Sequence, residues 1–122
     1  MAHDPAFVAL CEAARAEIQE LTLAEYLDLN EPCVLVDVRE DREWARGSMP
    51  GAVHIGRGVL ERDAHKVLTD RSALVVLFCG GGYRSALAAR NLGAMGYTRV
   101  ASLAGGIKGW WSSGLEGSAP PR

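Results

Sequence analysis

The stretch ALVVLFCGGGYRSALAARNLGAMG, residues 73–96, decides the fold. Its first seven residues are apolar throughout, the pattern of a strand covered on both faces. Three glycines follow Cys79, and beyond them Ser85, Ala88, Leu92 and Met95 recur at helical spacing. Gly96 stands where a helix places its C′ residue. A strand, a glycine-rich turn and a helix in that order make half of a βαβ unit, so the sheet is expected to be parallel.

Working outward, the same alternation continues. CVLVDV, residues 33–38, and RVASL, residues 99–103, read as further strands, and AVHI, residues 52–55, as a brief one. Short helices are expected in residues 39–47, closed by Gly47, in the charged segment 59–68, and in 105–114. Thr22 and Glu25 form a capping-box pattern opening a helix over 23–30, after a short strand in 17–21. At the amino end Asp4 and Pro5 resemble an N-cap and first helical residue, followed by Phe7, Leu10, Cys11, Ala14 and Ile18 on one face. The expected fold class is therefore α/β: a small parallel sheet of about five strands, helices on both faces, and an extra amphipathic helix over residues 1–16. That helix is expected to cover its own domain rather than a second chain.

With 122 residues the chain has room for one domain. Its 13 basic and 15 acidic side chains nearly cancel, giving no field for nucleic acid or an anionic membrane surface. No apolar run is long enough to span a bilayer, and the amino-terminal segment carries acids inside its apolar region, so a cytoplasmic protein is expected. Three widely spaced cysteines make neither a disulfide framework nor a CxxC zinc site, and no metal site is expected. Cys11 and Cys33 are expected to be buried and inert.

Cys79 differs from them in its neighbours. It sits at the carboxyl end of a strand, where open α/β sheets gather their ligands. Gly80, Gly81 and Gly82 allow successive backbone N–H groups to turn toward one spot. The helix start and Arg84 add positive charge. Such a cup stabilises an attacking thiolate and holds an anionic product. Three readings compete: a glycine-rich turn after a merely buried cysteine, a nucleotide-binding loop, and a cysteine hydrolase with a histidine base. The second lacks the lysine and spacing of GxxxxGK[ST], and the third has only His54 and His65 in the probable domain. The combination of glycines, arginine and strand end favours an activated cysteine.

Three ordered segments, residues 34–55 (VLVDVREDREWARGSMPGAVHI), 75–97 (VVLFCGGGYRSALAARNLGAMGY) and 100–114 (VASLAGGIKGWWSSG), resemble the single-domain rhodaneses, a sulfurtransferase family. The resemblance implies a rhodanese domain over 17–115, with a flexible tail at 116–122. It implies that Cys79 carries a sulfane sulfur as a persulfide, cradled by Gly80, Gly81, Gly82, Tyr83, Arg84 and Ser85. The donor is then thiosulfate or a thiol or protein persulfide, and the acceptor is cyanide or a thiol; a protein partner is one candidate, and no cofactor is implied. Asp37 and Arg39 match the family's D-x-R with Glu43 as its acidic partner, a structural role in which the four-residue spacing lets Arg39 and Glu43 pair across a helical turn. Arg57 falls in the segment that borders the family's active-site mouth. Ser48 replaces a common histidine, and Gly80 and Tyr83 occupy positions often basic in members active on thiosulfate. Trp110 and Trp111 are expected to pack the last helix.

A phosphatase or arsenate reductase of the same fold is the main rival, but its loop reads CxxxxxR, one residue longer than the CxxxxR from Cys79 to Arg84. A non-catalytic binding module is the other; such proteins commonly lose the cysteine.

Overall fold

The computed structural model of the chain describes residues 2–117. The order of elements is α1 (Pro5–Arg15), β1 (Gln19–Leu21), α2 (Leu23–Leu27), β2 (Val34–Asp37), α3 (Asp41–Trp44), β3 (Val53–His54), α4 (Leu60–Val67), β4 (Val75–Phe78), α5 (Tyr83–Ala94), β5 (Val100–Leu103) and α6 (Gly106–Ser112). The five strands form one parallel sheet in the order β1-β5-β4-β2-β3. The α/β class, the strand count and the amino-terminal helix agree with the sequence reading.

Alternation along β4 explains the two layers. Val75, Leu77 and Cys79 face a core shared with Leu60, Ala64 and Leu92 of α4 and α5. Leu74, Val76 and Phe78 face the opposite core, closed by Ile107 and Trp110 of α6 with Leu23 and Tyr26 of α2 at its margin. Successive strand side chains point to opposite faces, so a strand covered on both must be apolar at every position. All four residues of β4 are buried, as expected of the central strand.

The predicted caps form. The Asp4 side chain accepts the Ala6 N–H at 3.1 Å, and Thr22 and Glu25 complete a reciprocal capping box at 3.1 and 2.9 Å. Helix α2 ends at Leu27, shorter than the expected 23–30, with Asp28 as its C-cap. Helix α1 lies on α5 and buries Cys11 and Ala14, whereas Leu10 of the expected stripe is half-exposed. Trp110 is buried, and its indole N–H donates to the Glu116 carbonyl at 3.0 Å. Trp111, expected to pack beside it, is instead exposed, with the Arg39 guanidinium carbon 5.8 Å from its ring. The predicted tail falls largely on residues 118–122, outside the described residues.

At the carboxyl end of β2 the chain buries an ion pair. Asp37 is fully buried and Arg39 nearly so. The Asp37 carboxylate accepts from Arg39 Nε at 3.0 Å, from Arg39 Nη2 at 2.8 Å, from the Arg39 backbone N–H at 3.0 Å and from Ser48 Oγ at 2.8 Å. Arg39 Nη2 also donates to the Gly47 carbonyl at 2.7 Å, tying the turn after α3 to the sheet. So many donors offset the cost of desolvating both charges. The expected Arg39–Glu43 pair does not form, because Asp37 and Gly47 take the guanidinium inward and leave Glu43 for another partner.

Removing one member of such a pair leaves a buried charge uncompensated. Arg39→Met is therefore expected to lower the unfolding free energy by about 3–5 kcal/mol, measured by urea denaturation, with partial recovery in the Asp37→Asn, Arg39→Met double variant.

Candidate active site

Asp37 of β2 lies opposite Phe78 of β4, and Leu77 of β4 lies opposite Ser102 of β5. The loops that leave these three strands at their carboxyl ends therefore emerge side by side. The middle one carries Cys79. That residue is 1% exposed, and its Sγ accepts the Gly82 N–H at 3.1 Å. Ser85 Oγ lies 3.6 Å from Sγ and 2.8 Å from Ser102 Oγ, so a buried hydroxyl pair supports the sulfur from below. Gly82, the N-cap of α5, takes φ 108°, a left-handed conformation that favours glycine. The first-turn amides of α5, without intrahelical acceptors, open toward the same end of the helix.

Helix α6 sets the orientation of this loop. The N–H of Ile107 donates to the Cys79 carbonyl at 2.9 Å, and that of Lys108 to the Gly80 carbonyl at 3.1 Å. With these carbonyls turned toward α6, the N–H groups of Gly80 and Gly81 point away from it, and the next amide along, that of Gly82, reaches the sulfur. Contact is close: a Cβ on Gly106 would lie 2.4 Å from the Cys79 carbonyl oxygen and 2.6 Å from that of Gly80. Gly106 also has φ 53°, so glycine is required there twice over.

Arg84 crosses the mouth to Glu43, with two hydrogen bonds of 2.7 and 3.2 Å. This is the partner that Glu43 takes in place of Arg39. The Arg84 hydrogen bond is the main cause that lowers the Glu43 carboxyl from 4.5 to about 2, with the Glu40 backbone and the charges of Arg84 and Arg39 adding to it against the effect of burial. Arg84 is held charged chiefly by Glu43, and the Cys79 sulfur contributes as well.

A cavity of about 530 Å³ opens onto this loop. Cys79, Gly80, Gly81, Tyr83 and Arg84 line it from the loop, Glu43 from α3, and His3, Phe7 and Lys108 complete it. Thus the structure gathers most of the sequence-predicted cradle at one opening, with Gly82 and Ser85 behind the sulfur. Arg57 is not among the lining residues: it makes a fork of 2.9 and 2.7 Å to Glu61 one helical turn on, which Asn91 of α5 also contacts at 2.6 Å. Asp37 and Arg39 stay in the interior behind the site. His54 stacks on Trp44 and donates Nε2–H to the Arg39 carbonyl at 2.8 Å, and His65 is exposed on α4, so neither is a base for Cys79. A further cavity of about 740 Å³ lies at the amino ends of β4 and β5, away from this chemistry.

His3, Phe7 and Lys108 were not legible as site residues. The glycine pair 105–106 before α6 was the available signal of close backbone approach, and it placed Lys108 beside the loop. Cys11 is buried and Cys33 half-buried; burial is the first cause that pushes both thiols up. No group of metal-ligating side chains occurs among the described residues. No helix among them is long and apolar enough to cross a membrane.

The model of the Rhodanese-like domain family matches residues 22–113, and the chain belongs to that family. It is 36% identical over 104 residues to a sulfurtransferase of Allochromatium vinosum, covering 85% of this chain and 95% of that one. The polysulfide-sulfur transferase homodimer of Wolinella succinogenes superposes with a TM-score of 0.77 at 29% identity, covering 96% of this chain and 90% of that one. A Rhodopseudomonas palustris protein described as a possible tyrosine phosphatase does so with a TM-score of 0.83 at 30% identity, covering 97% and 98%. Family membership and the sulfurtransferase relatives support sulfur transfer in general as the activity.

Two outcomes follow from the geometry. Gly106→Ala must push the Cys79 loop outward, and is expected to lower the melting temperature by about 10 °C and to remove most activity, checked by calorimetry and a transfer assay. Because the Glu43 carboxyl is depressed in the folded protein, its contribution to stability is full above about pH 5 and is lost as pH falls through about 2. The stability difference between the parent and Glu43→Gln should therefore be flat from neutral pH to about pH 5 and shrink below it. Urea denaturation at a series of pH values measures this, and a constant difference would mean that Glu43 has no charged partner.

Proposed function

We propose that the protein transfers sulfane sulfur through a persulfide on Cys79. The observation that carries this reading is Cys79 itself, almost closed off from bulk water, its sulfur hydrogen-bonded by the Gly82 amide at 3.1 Å, at the wall of the cavity whose mouth Arg84 and Glu43 span. In the first half-reaction the Cys79 thiolate attacks the outer sulfur of the donor. A sulfur–sulfur bond forms at Sγ, and the donor's own bond to that sulfur breaks, releasing sulfite from thiosulfate or a thiolate from a persulfide. The loop amides and the helix start stabilise negative charge on the new terminal sulfur. In the second half-reaction a thiol or cyanide attacks that sulfur and Cys79 leaves as thiolate. Gly80 to Ser85 bind the persulfide, while Asp37 and Arg39 hold the neighbouring loop in place and Glu43 positions Arg84.

The likeness to a possible tyrosine phosphatase makes phosphoryl transfer the second reading. A transferring phosphoryl group needs donors for three equatorial oxygens, whereas the persulfide adds one sulfur at about 2.05 Å from Sγ. The short CxxxxR loop suits the smaller group.

Intact-protein mass spectrometry after incubation with thiosulfate is expected to show a gain of one sulfur that cyanide removes. Cys79→Ser should show no gain and at least a thousandfold slower thiocyanate production, on the order of the loss when a nucleophile is removed, while Cys11→Ser and Cys33→Ser keep most activity. Turnover of para-nitrophenyl phosphate that depends on Cys79 and rivals sulfur transfer would overturn the assignment in favour of the phosphatase.

A further inference from the structure

Helix α1 and the residues before it lie outside the segment 22–113 that matches the family model, yet they form part of the wall of the cavity that holds Cys79. Their contribution is aromatic. His3, Phe7 and Tyr83 make three mutual ring contacts, with centroids 5.6 Å apart for His3–Phe7, 5.2 Å for His3–Tyr83 and 5.8 Å for Phe7–Tyr83. Both pairs that include Tyr83 are edge-on, the arrangement that aromatic quadrupoles favour. Packing of α1 on α5, with Cys11 and Ala14 buried between them, fixes the wall to the helix that starts at Tyr83.

The rest of the lining defines the charge of the occupant. Arg84 is neutralised by Glu43. Lys108, exposed at the rim beside Gly80, has no ion-pair partner among the described residues. The opening thus offers one available cation, one internally compensated pair, and three rings leading to a nucleophilic sulfur. Its volume of about 530 Å³ falls among pockets that enclose organic ligands and exceeds what a tetrahedral inorganic anion fills. A small dianion would leave the rings without contacts. An organic stem with two linked sulfurs would use them, since divalent sulfur packs favourably against aromatic edges. A carboxylate on the same molecule would meet Lys108.

We propose that His3, Phe7, Tyr83 and Lys108 form a specificity subsite for a small organic persulfide bearing a carboxylate, with the amino-terminal segment supplying His3 and Phe7. This rests on the sulfur-transfer reading of Cys79 and names its donor. The Cys79 thiolate attacks the terminal sulfur of R–S–SH. The Sγ–S bond forms as the inner S–S bond breaks, and R–S⁻ leaves with that bond's electron pair. The proton stays on the transferred sulfur, so no oxidant or reductant is needed. The organic group R, the part that the subsite holds, is then released as its thiolate.

The test follows sulfur loading of Cys79 by intact-protein mass spectrometry, with glutathione persulfide and with thiosulfate, in the parent and in Phe7→Ala, Phe7→Leu and Lys108→Ala. The parent is expected to load faster from glutathione persulfide. Phe7→Ala and Phe7→Leu are expected to slow that loading about fivefold to tenfold and thiosulfate loading by much less, so the ratio between donors falls. Phe7→Leu keeps an apolar side chain on α1, and a melting temperature matching the parent's shows that the effect lies in the subsite. Lys108→Ala should slow loading from glutathione persulfide more than from cysteamine persulfide, which lacks a carboxylate. An unchanged ratio between donors in Phe7→Leu, or equal losses for both persulfides in Lys108→Ala, overturns the subsite. Absence of any sulfur on parental Cys79 from either donor instead overturns the sulfur-transfer reading beneath it.

Discussion

Two backbone hydrogen bonds, from the N–H groups of Ile107 and Lys108 to the carbonyls of Cys79 and Gly80, decide which way the cysteine loop faces. A run of three glycines has almost no conformational preference of its own and loses much entropy when fixed. Left alone, it would sample many arrangements, few of which aim amides at Sγ. The start of α6 selects one by capturing the carbonyls on the far side. That capture needs backbone to approach backbone, which is why Gly106 has no room for a Cβ. The electrostatic character of the site is thus a consequence of packing between the ends of β4 and β5.

The two ion pairs near the site divide the work by depth. Asp37–Arg39 is shut inside the protein, and every strong donor around the carboxylate is used, so the end of β2 and the turn at Gly47 and Ser48 behave as one rigid piece. Its net contribution to stability is modest after desolvation, but breaking it is costly, which makes it a fixture. Glu43–Arg84 lies at the rim with each side chain about a quarter to a third exposed. It spans 41 residues of sequence and links α3 to the start of α5 across the opening. The interior pair fixes the chain on both sides of α3, which carries Glu43, and Glu43 in turn holds Arg84 over the cavity.

Helix α1 adds a layer to this arrangement over α5. It packs on α5, and the residues ahead of Cys11 reach past the end of that helix to the mouth. The family model does not include this segment, while two solved structures of similar proteins align with nearly the whole chain. The Cys79 loop and the wall that faces it therefore come from parts of the chain that are separated by about seventy residues and are brought together where α1 packs on α5.

What the sequence determined by itself was everything that depends on period and on local chemistry. Continuous apolar runs marked the inner strands, the Thr22–Glu25 and Asp4–Pro5 signals marked helix starts, and the glycines after Cys79 marked a loop able to turn its amides inward. These features act over a few residues, so they are legible before the chain folds. The tertiary structure decided the pairings. Spacing allowed Arg39 to reach Glu43, but a buried carboxylate at Asp37 competes more strongly for the guanidinium, and Glu43 turned to Arg84. Arg57, in the turn before α4, found Glu61 on that helix and stayed out of the mouth. His3 and Phe7 became neighbours of Tyr83 only because α1 lies along α5, a packing choice that an amphipathic stripe permits but does not specify. Local sequence limits which contacts a side chain can make; competition among distant partners for the same charge or the same apolar surface determines which contact it does make.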